Sequence, residues 1–567
     1  MVVTWTKRLA KRGSNGSGRS SEENKEPSRS EPTASPPDYE VTGAREAVDI
    51  GPGDVRDLVD IEENKTTFYG WVVPAVAGIG GALFGYDTGT VGHVLPRLNS
   101  ALVGGVTTSE KALNVAMASV GAFIGGLLIL LADKYGRKAV MYLSATLYII
   151  GAVLQATARS VPQMVIARSV VGLSIGGASA VSPLYIGEVA PAKSRGTMTG
   201  TFNLAITGTQ LVGYGIGVGL GDIEVGWRVM TGIGAGLALL WLCLLPFCPE
   251  SPRYLITVDR RKAKAAVQKL RSNATPEQID QHVAQLHTYM EYAKLAKGNR
   301  GKLRQFGQLF NKENRWKTFA ACGLMALSQL SGFNSLMYFA PTLLVALGFP
   351  PPTAVAIPGA NLLFTAIYMY LVDRVGRRRL LLSTSPIIFI SLAISAVAWE
   401  FNKTLDTSIA DDLADEILAG MRPSPPLDKS SFIILGSMVG MVVGYAGAIG
   451  NLAWTSSEFF PVELRAHGTM LMNMFNWGPN VLVSGTFLPL FEHAGAPATA
   501  GLYAGLSGLG TIFAYFFYPE VKGLPLEVIK EIFDADESPV KAANRKQREL
   551  KEARKNRGGM AEGENIV

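Results

Sequence analysis

An all-α membrane protein of twelve transmembrane helices, in two pseudo-symmetric six-helix halves, is the fold this sequence predicts. Three observations carry the prediction. Apolar stretches near 20 residues, nearly free of charge, recur along the chain, charge crowds into the two ends and one central block, and two charged motifs of the first half return in the second. Of 567 residues 48% are hydrophobic and 17% charged, and the mean hydropathy is +0.21. Collagen-like, disordered and soluble multidomain classes fall away. A helix rising about 1.5 Å per residue needs about 20 apolar residues to cross a hydrocarbon core about 30 Å thick.

Residues 1–66 carry clusters such as GSNGSGRSSEENKEPSRSEPTASPP. They cannot bury enough apolar surface to offset chain entropy and are expected to be a disordered tail. No secretory signal is expected, since the first apolar stretch starts near Trp71. The N-terminal half, 67–248, holds spans at about 69–95, 112–132, 139–157, 164–186, 198–220 and 227–248. A linker follows at 249–317, where RRKAKAAVQKL and PEQIDQHVAQLHTYMEYAKL have amphipathic spacing and predict helices along the membrane face. The C-terminal half, 318–518, holds spans at about 318–345, 353–372, 380–400, 431–457, 468–491 and 498–518, before a basic tail at 519–567. The run KAANRKQRELKEARKNR in that tail reads as a solvated helix or as a dock for acidic lipid.

Lys and Arg set the orientation. The connections after the even spans hold Lys134, Arg137, Lys138, Lys193, Arg195, fifteen basic residues from Arg253 to Lys317, Arg374, Arg377, Arg378, Arg379 and Arg465; the opposite connections hold six. The positive-inside rule places the even connections and both termini in the cytoplasm. It also accounts for the net charge of +7 without nucleic acid, which is not an expected partner. Cys243, Cys248 and Cys322 lie in or beside apolar segments and supply neither a disulfide framework nor a metal site.

Asp133-Lys-Tyr-Gly-Arg-Lys138 returns as Asp373-Arg-Val-Gly-Arg-Arg378, an offset of 240, while Glu188, Pro191 and Arg195 return as Glu458, Pro461 and Arg465 at an offset of 270. The thirty extra residues fall in the connection 401–430. Two repeated halves of six helices place a binding site at their interface, near the midplane.

Two charges interrupt the apolar stretches: Asp87 in the first span and Arg168 in the fourth. Each costs about 2.5 to 3.5 kcal/mol at a helix centre, so both are expected inside the bundle, paired. A carboxyl there is neutralised by a proton or compensated by Arg, which makes a proton-linked switch; the plain alternative is a static ion pair. His93 reads as an interfacial histidine or a proton relay. Asn203, Gln210, Gln329, Asn334, Asn361, Asn476 and Asn480 spread neutral donors and acceptors over at least four spans, and Trp454 and Trp477 add flat apolar surfaces. Such a set suits a neutral polyhydroxylated ligand, or serves as glue between helices. The stretch Gly172 to Gly177 suits close helix packing better than phosphate binding. No catalytic triad, nucleotide loop or HExxH motif appears, so an enzyme is not expected. The triplet Asn402-Lys-Thr404 is a glycosylation sequon on the outer side.

Residues 68–530 resemble the sugar-porter family of the major facilitator superfamily. The resemblance rests on Gly85-Tyr-Asp-Thr-Gly89, Asp133 to Lys138, Arg168 with Gly172, EVAPAKSRG from Glu188, Gly226-Trp-Arg228, Pro249-Glu-Ser-Pro-Arg253, Gln329 to Tyr338, Asp373 to Arg378, Trp454 with Ser457 to Pro461, and Pro519-Glu-Val-Lys-Gly523. FNSLMYF, IGNLAWTSSEFFP and AGLSGLGTIFAYFFYPEVKGLPLE are similar to stretches of its fungal proton-coupled myo-inositol branch. The resemblance implies that Asp87 couples the proton with Arg168 as partner. It implies a substrate site of Gln210, Gln329, Asn334, Asn361, Trp454, Asn476 and Asn480, walled by Phe84, with Trp477 beside it. It further implies a cytoplasmic gate of Asp133, Arg137, Glu188, Arg195, Asp373, Arg377, Glu458 and Arg465. Ser328 and Asn203 stand at substrate-site positions where the family usually carries Gln, and Ile129 and Met369 replace a glycine four residues before each motif Asp.

The expected protein is a monomeric plasma-membrane importer of a cyclic polyol, myo-inositol, by proton symport with alternating access. It uses no cofactor or metal beyond the proton. A hexose or pentose transporter and a non-transporting nutrient receptor are the alternatives.

Overall fold

The computed structural model describes residues 66–101, 106–191, 194–221, 223–297, 302–402, 417, 425–460, 464–522, 532–533 and 538–549. Almost all of the predicted tail 1–66, and the side chains of Arg195, Asp373 and Glu458, lie outside the described residues. Among the described residues there is no strand. Nine helices among the described residues are long and apolar enough to cross a membrane. The longest, Arg465–Phe517, is two crossings joined at Gly495, whose φ of 84° breaks the helix. Arg195–Leu220 adds another crossing. One more comes from Arg315–Leu330 and Phe333–Ala346, split at Gly332 with φ 82°. Twelve crossings result.

In chain order the first six are Phe68–Ala101, Thr108–Gly125 continued by Ile129–Tyr135, Arg137–Ala156, Val161–Val189, Arg195–Leu220 and Gly226–Leu244. The split pair makes the seventh. Ala356–Val375, Arg377–Phe401 and Lys429–Gly444, the last extended by a π-type turn to Gly450–Thr455, are the eighth to tenth. The broken helix supplies the eleventh and twelfth.

Two details depart from expectation. The seventh span, read as continuous over 318–345, is interrupted because Gly332 takes a left-handed conformation that side chains disfavour. The sequon residue Asn402 ends the ninth helix and is buried, at 7% exposure, while Lys403 and Thr404 lie outside the described residues.

Small residues bring the helices together. A Cβ on Gly121 or Gly125 of the second crossing would collide with the carbonyls of Ser169 or Leu173 on the fourth; one on Gly172 or Gly176 would collide with those of Ala118 or Ala122 in return. The two helices therefore interlock backbone to backbone, the close approach that paired small residues permit in lipid. Gly85 and Gly89 let the first crossing lie on the fifth at Ile206 and Gln210. Exposed Val229, Ile233, Leu239 and Leu240 on the sixth crossing, and Phe389, Ile390, Ile394 and Val397 on the ninth, face outward, as a lipid-contacting surface requires.

The halves meet where the first crossing packs on the seventh, the second on the eleventh and the fifth on the eighth. Ile129 is buried with Ala180 of its own half and Met470 of the facing half, and the Met369 thioether lies against Gly200. The two large residues at the glycine positions thus fill the seam between halves. The linker helices Pro252–Val258, Arg260–Leu270 and Pro276–Lys297 share a small core of Ile256, Ala263, Val267, Ile279 and Val283.

Candidate functional site

Glycines on either side of Asp87 hold the first crossing against the fifth, which turns the carboxylate toward the fourth. There Arg168 Nη1 lies 2.5 Å from Asp87 Oδ1, and Arg168 Nε donates to the Asn114 carbonyl at 3.4 Å. Exposures of 8% for Asp87 and 3% for Arg168 put both charges away from lipid and bulk water. Each is tolerable there only because the other compensates it, so adding a proton to Asp87 leaves Arg168 to find another acceptor.

The amides form two hydrogen-bonded groups. Asn334 Nδ2 donates to Gln329 Oε1 at 2.6 Å, and Gln329 Nε2 donates to Asn476 Oδ1 at 2.6 Å, a chain joining the two parts of the seventh crossing to the eleventh. Asn361 Nδ2 donates to Gln210 Oε1 at 2.8 Å, a bond from the eighth crossing to the fifth and so from one half to the other. All five are buried. Phe84 of the first crossing and Trp477 of the eleventh meet edge to face, with ring centroids 5.1 Å apart, and Trp477 Nε1 donates to Asn473 Oδ1 at 3.1 Å. This surface is polar, uncharged and shared by both halves, and every amide bond in it is one that a hydroxyl can replace.

Four expected residues stand apart from these bonds. The Ser328 hydroxyl donates to Met325 O at 2.7 Å within its own helix. Asn203 is half-buried, two turns from Gln210 toward the end carrying the repeated motifs. Trp454 is half-buried against the C-terminal core. Asn480 is fully buried, and its amide makes no hydrogen bond of good geometry.

At the end that carries the repeated motifs, Glu188 accepts from Arg137 Nε at 2.8 Å and Nη2 at 2.9 Å and from Ser251 Oγ at 2.5 Å, while Asp133 lies 3.6 Å from Arg137. These bonds all lie within the N-terminal half and the start of the linker. Contacts between the halves among the described residues at this end include Ser179 Oγ to Asn473 Oδ1 at 3.4 Å and the apolar seam of Ile129 and Met369. Arg377 and Arg465 each interact with a further group, and the side chains of Arg195, Asp373 and Glu458 lie outside the described residues.

Two acids outside the expected site complete the repeat. Gly136 and Gly376 turn with φ of 95° and 109°. Past each turn a carboxylate receives the first free amides of a helix: Glu250 from Arg137 N at 3.0 Å and Lys138 N at 3.1 Å, Glu520 from Arg377 N at 3.2 Å and Arg378 N at 3.0 Å. Lys138 Nζ donates to Cys248 O at 2.6 Å, and Arg378 donates likewise to Tyr518 O. Glu250 and Glu520 differ by 270 positions, the offset already visible at Glu188 and Glu458. That interval was the available signal.

Residues 73–533 match the family described as "Sugar (and other) transporter". The chain is similar to "Myo-inositol transporter 1" of Cryptococcus neoformans, with 34% identity over 89% of this chain and 88% of that protein. It is also similar to "Myo-inositol transporter 2" of Schizosaccharomyces pombe, with 34% identity over 83% of each. Among solved structures it is similar to the major facilitator superfamily proton:xylose symporter XylE bound to 6-bromo-6-deoxy-D-glucose, with 25% identity, a TM-score of 0.66, and coverage of 82% of this chain and 99% of that one. A "partially occluded inward open conformation" of the xylose transporter XylE from E. coli shares the fold at a TM-score of 0.64 and 24% identity, over 81% of this chain and 100% of that one. By its twelve-helix architecture and by the extent of these matches, the chain belongs to the sugar (and other) transporter family, a multi-pass integral membrane protein of the major facilitator fold.

Proposed function

We propose that this protein is a secondary active transporter that imports a neutral cyclic polyol, myo-inositol, together with a proton. The single observation that carries the reading is the buried Asp87–Arg168 pair, one reversible charge set beside neutral amides from both halves. The named relatives are myo-inositol transporters, and a solved neighbour is a proton symporter.

In this reading the halves 67–248 and 318–518 rock about a site near the midplane, and the linker 249–317 and both tails are cytoplasmic at the plasma membrane. Proton loading neutralises Asp87 and releases Arg168. Gln210, Gln329, Asn334, Asn361, Asn476 and Asn480 give up their mutual bonds for substrate hydroxyls, so binding exchanges hydrogen bonds instead of stripping them. Phe84, Trp454 and Trp477 receive the C–H face of the ring. Asn203 and Ser328, shorter than the usual Gln, leave room for substituents around it. Breaking the Gln210–Asn361 bond between halves is what lets substrate loosen one face of the seam. Asp133, Arg137, Glu188, Arg195, Asp373, Arg377, Glu458 and Arg465 act as the cytoplasmic gate. The protein works as a monomer with no cofactor besides the proton.

The test is uptake of labelled myo-inositol at acidic and neutral external pH, competed by excess glucose, xylose or unlabelled inositol. Faster uptake at acidic pH, competed by inositol alone, is expected. A second reading, a pentose or hexose symporter, is favoured by the xylose-transporter neighbours. It predicts competition by xylose or glucose instead. Binding without flux would refute both in favour of a receptor.

A further inference from the structure

The second and eleventh crossings run antiparallel. A Cβ at Gly485 would stand 3.4 Å from that of Ala116, and one at Gly478 would stand 3.5 Å from the Phe123 ring. Midway between these contacts, one turn along the same face from Ala116, lies Ser119, opposite the turn that carries Asn480.

Both residues are buried, at 1% and 0% exposure, and Ser119 Oγ, Asn480 Nδ2 and Asn480 Oδ1 all lack a hydrogen bond of good geometry. Tyr338, coupled electrostatically to both and to Asp87 and Arg168, lies one turn from Ser335, whose hydroxyl donates to Val483 O at 3.3 Å, one turn past Asn480. Tyr338 sits where the seventh crossing lies directly on the first: a Cβ on Gly92 would come within 2.5 Å of the Tyr338 carbonyl. Leaving several such polar atoms unmatched in a low-dielectric interior is costly, and a buried water typically makes about three hydrogen bonds to groups of this kind.

The same residues lie one helical turn from the amide chain at both ends. Tyr338 is one turn from Asn334, which donates to Gln329; Asn480 is one turn from Asn476, which accepts from Gln329. We propose that Ser119, Tyr338 and Asn480, completed by water, form a polar bridge that transmits the protonation state of Asp87 to the amides of the seventh and eleventh crossings. Tyr338 and Ser119 are then positioning residues, acting through Asp87 and Asn480. When Asp87 is ionised, Arg168 is held on the carboxylate; when it is protonated, the guanidinium turns to the bridge, reorients its water and pulls on the amide chain. The other titratable groups around Asp87 are Tyr86 on its own helix and Tyr148 from the third crossing. Both hydroxyls are already committed, to Met230 O and Leu83 O, which leaves Tyr338 as the route across the seam.

The inference rests on the symport reading, and the test separates the two. Wild type, Asp87→Asn, Ser119→Ala and Tyr338→Phe are reconstituted at equal amounts of monodisperse protein. Uphill uptake across a pH gradient and counterflow of preloaded solute are measured with tritiated myo-inositol, or with whichever competitor from the uptake panel the wild type carries. Ser119→Ala and Tyr338→Phe are each expected to lose about fivefold in uphill uptake, the scale of one lost hydrogen bond, with a shifted pH profile and counterflow within about twofold of wild type. Wild-type pH profiles in both variants would overturn the bridge. So would counterflow falling in step with uphill uptake, which marks a structural role. Uphill uptake surviving in Asp87→Asn would instead overturn the symport reading itself.

Discussion

Replacing Asp87 with Asn removes one charge and almost no volume, which makes its consequence calculable. In the wild type a proton moving through a membrane potential of about 100 mV releases about 2.3 kcal/mol. At about 1.4 kcal/mol per tenfold, coupling one proton to one neutral solute supports about fiftyfold accumulation from that potential alone. Asn cannot exchange a proton, so the expected accumulation ratio is one. The structural side effect is also bounded. Arg168 keeps two neutral acceptors, the Asn114 carbonyl at 3.4 Å and the carboxamide oxygen introduced by the substitution, in place of the 2.5 Å ion pair. Removing one partner of a buried pair costs about 3 to 5 kcal/mol, so a lower melting temperature is expected as well. The assay is steady-state accumulation in proteoliposomes under an imposed potential, paired with solute exchange at zero potential. Exchange should persist, because the amides are untouched. A variant that still concentrates solute tenfold would refute the reasoning, since no other buried carboxylate is described beside the site.

Three further outcomes follow from the packing. Gly172→Ala should lower the melting temperature markedly, because its Cβ meets the Ala118 backbone, whereas Gly236→Ala, in open space, should leave it unchanged or raise it by the equivalent of about 0.5 to 1 kcal/mol. Glu250→Gln should destabilise by about 1 to 2 kcal/mol in chemical or thermal unfolding, since a carboxylate receiving two amides at a helix start is replaced by a neutral group. The Ser430 hydroxyl, followed by neighbouring backbone amides, holds the Asp428 carboxyl below its ordinary range. A depressed carboxyl contributes stability above its unfolded pKa of about 3.9 and loses it as pH falls through the lower folded value. The melting-temperature gap between wild type and Asp428→Asn should therefore be constant at neutral pH and close only in strong acid.

Helix number and the Asp87–Arg168 pairing were legible because each follows from a cost that lipid imposes locally. A crossing needs about 20 apolar residues, and a charge within it needs a partner. The break at Gly332 was not legible, since a glycine inside an apolar run reads equally as a packing residue, and only the φ of 82° separates the two. The amides showed the opposite limit. Sequence placed Gln329, Asn334 and Asn476 on suitable helices, but which amide bonds which depends on helix rotation, and that depends on glycine contacts far from the site. Ser328 illustrates the consequence: one residue from Gln329, it turns to the Met325 carbonyl of its own helix.

The repeat argues further than either. Glu188 and Glu458 announce an offset of 270, and applying it to Glu250 returns Glu520, which caps the matching helix start past a matching positive-φ glycine. Yet the ion pairs so duplicated lie, where described, inside one half, while Ile129, Met369 and the Ser179–Asn473 contact bridge the two. The described charges of the repeat therefore tie the N-terminal half together at its basic end, and Ile129 and Met369, which break the family's glycine pattern, fill the seam between the halves there. Ile129→Gly should then loosen the seam without touching the Arg137–Glu188 bonds. The expected result is faster exchange at zero potential, with the N-terminal half expressed with its linker losing only what a glycine costs within a helix, about 1 kcal/mol. Equal loss of exchange and of stability would mean that Ile129 belongs to the core of its own half and not to the seam.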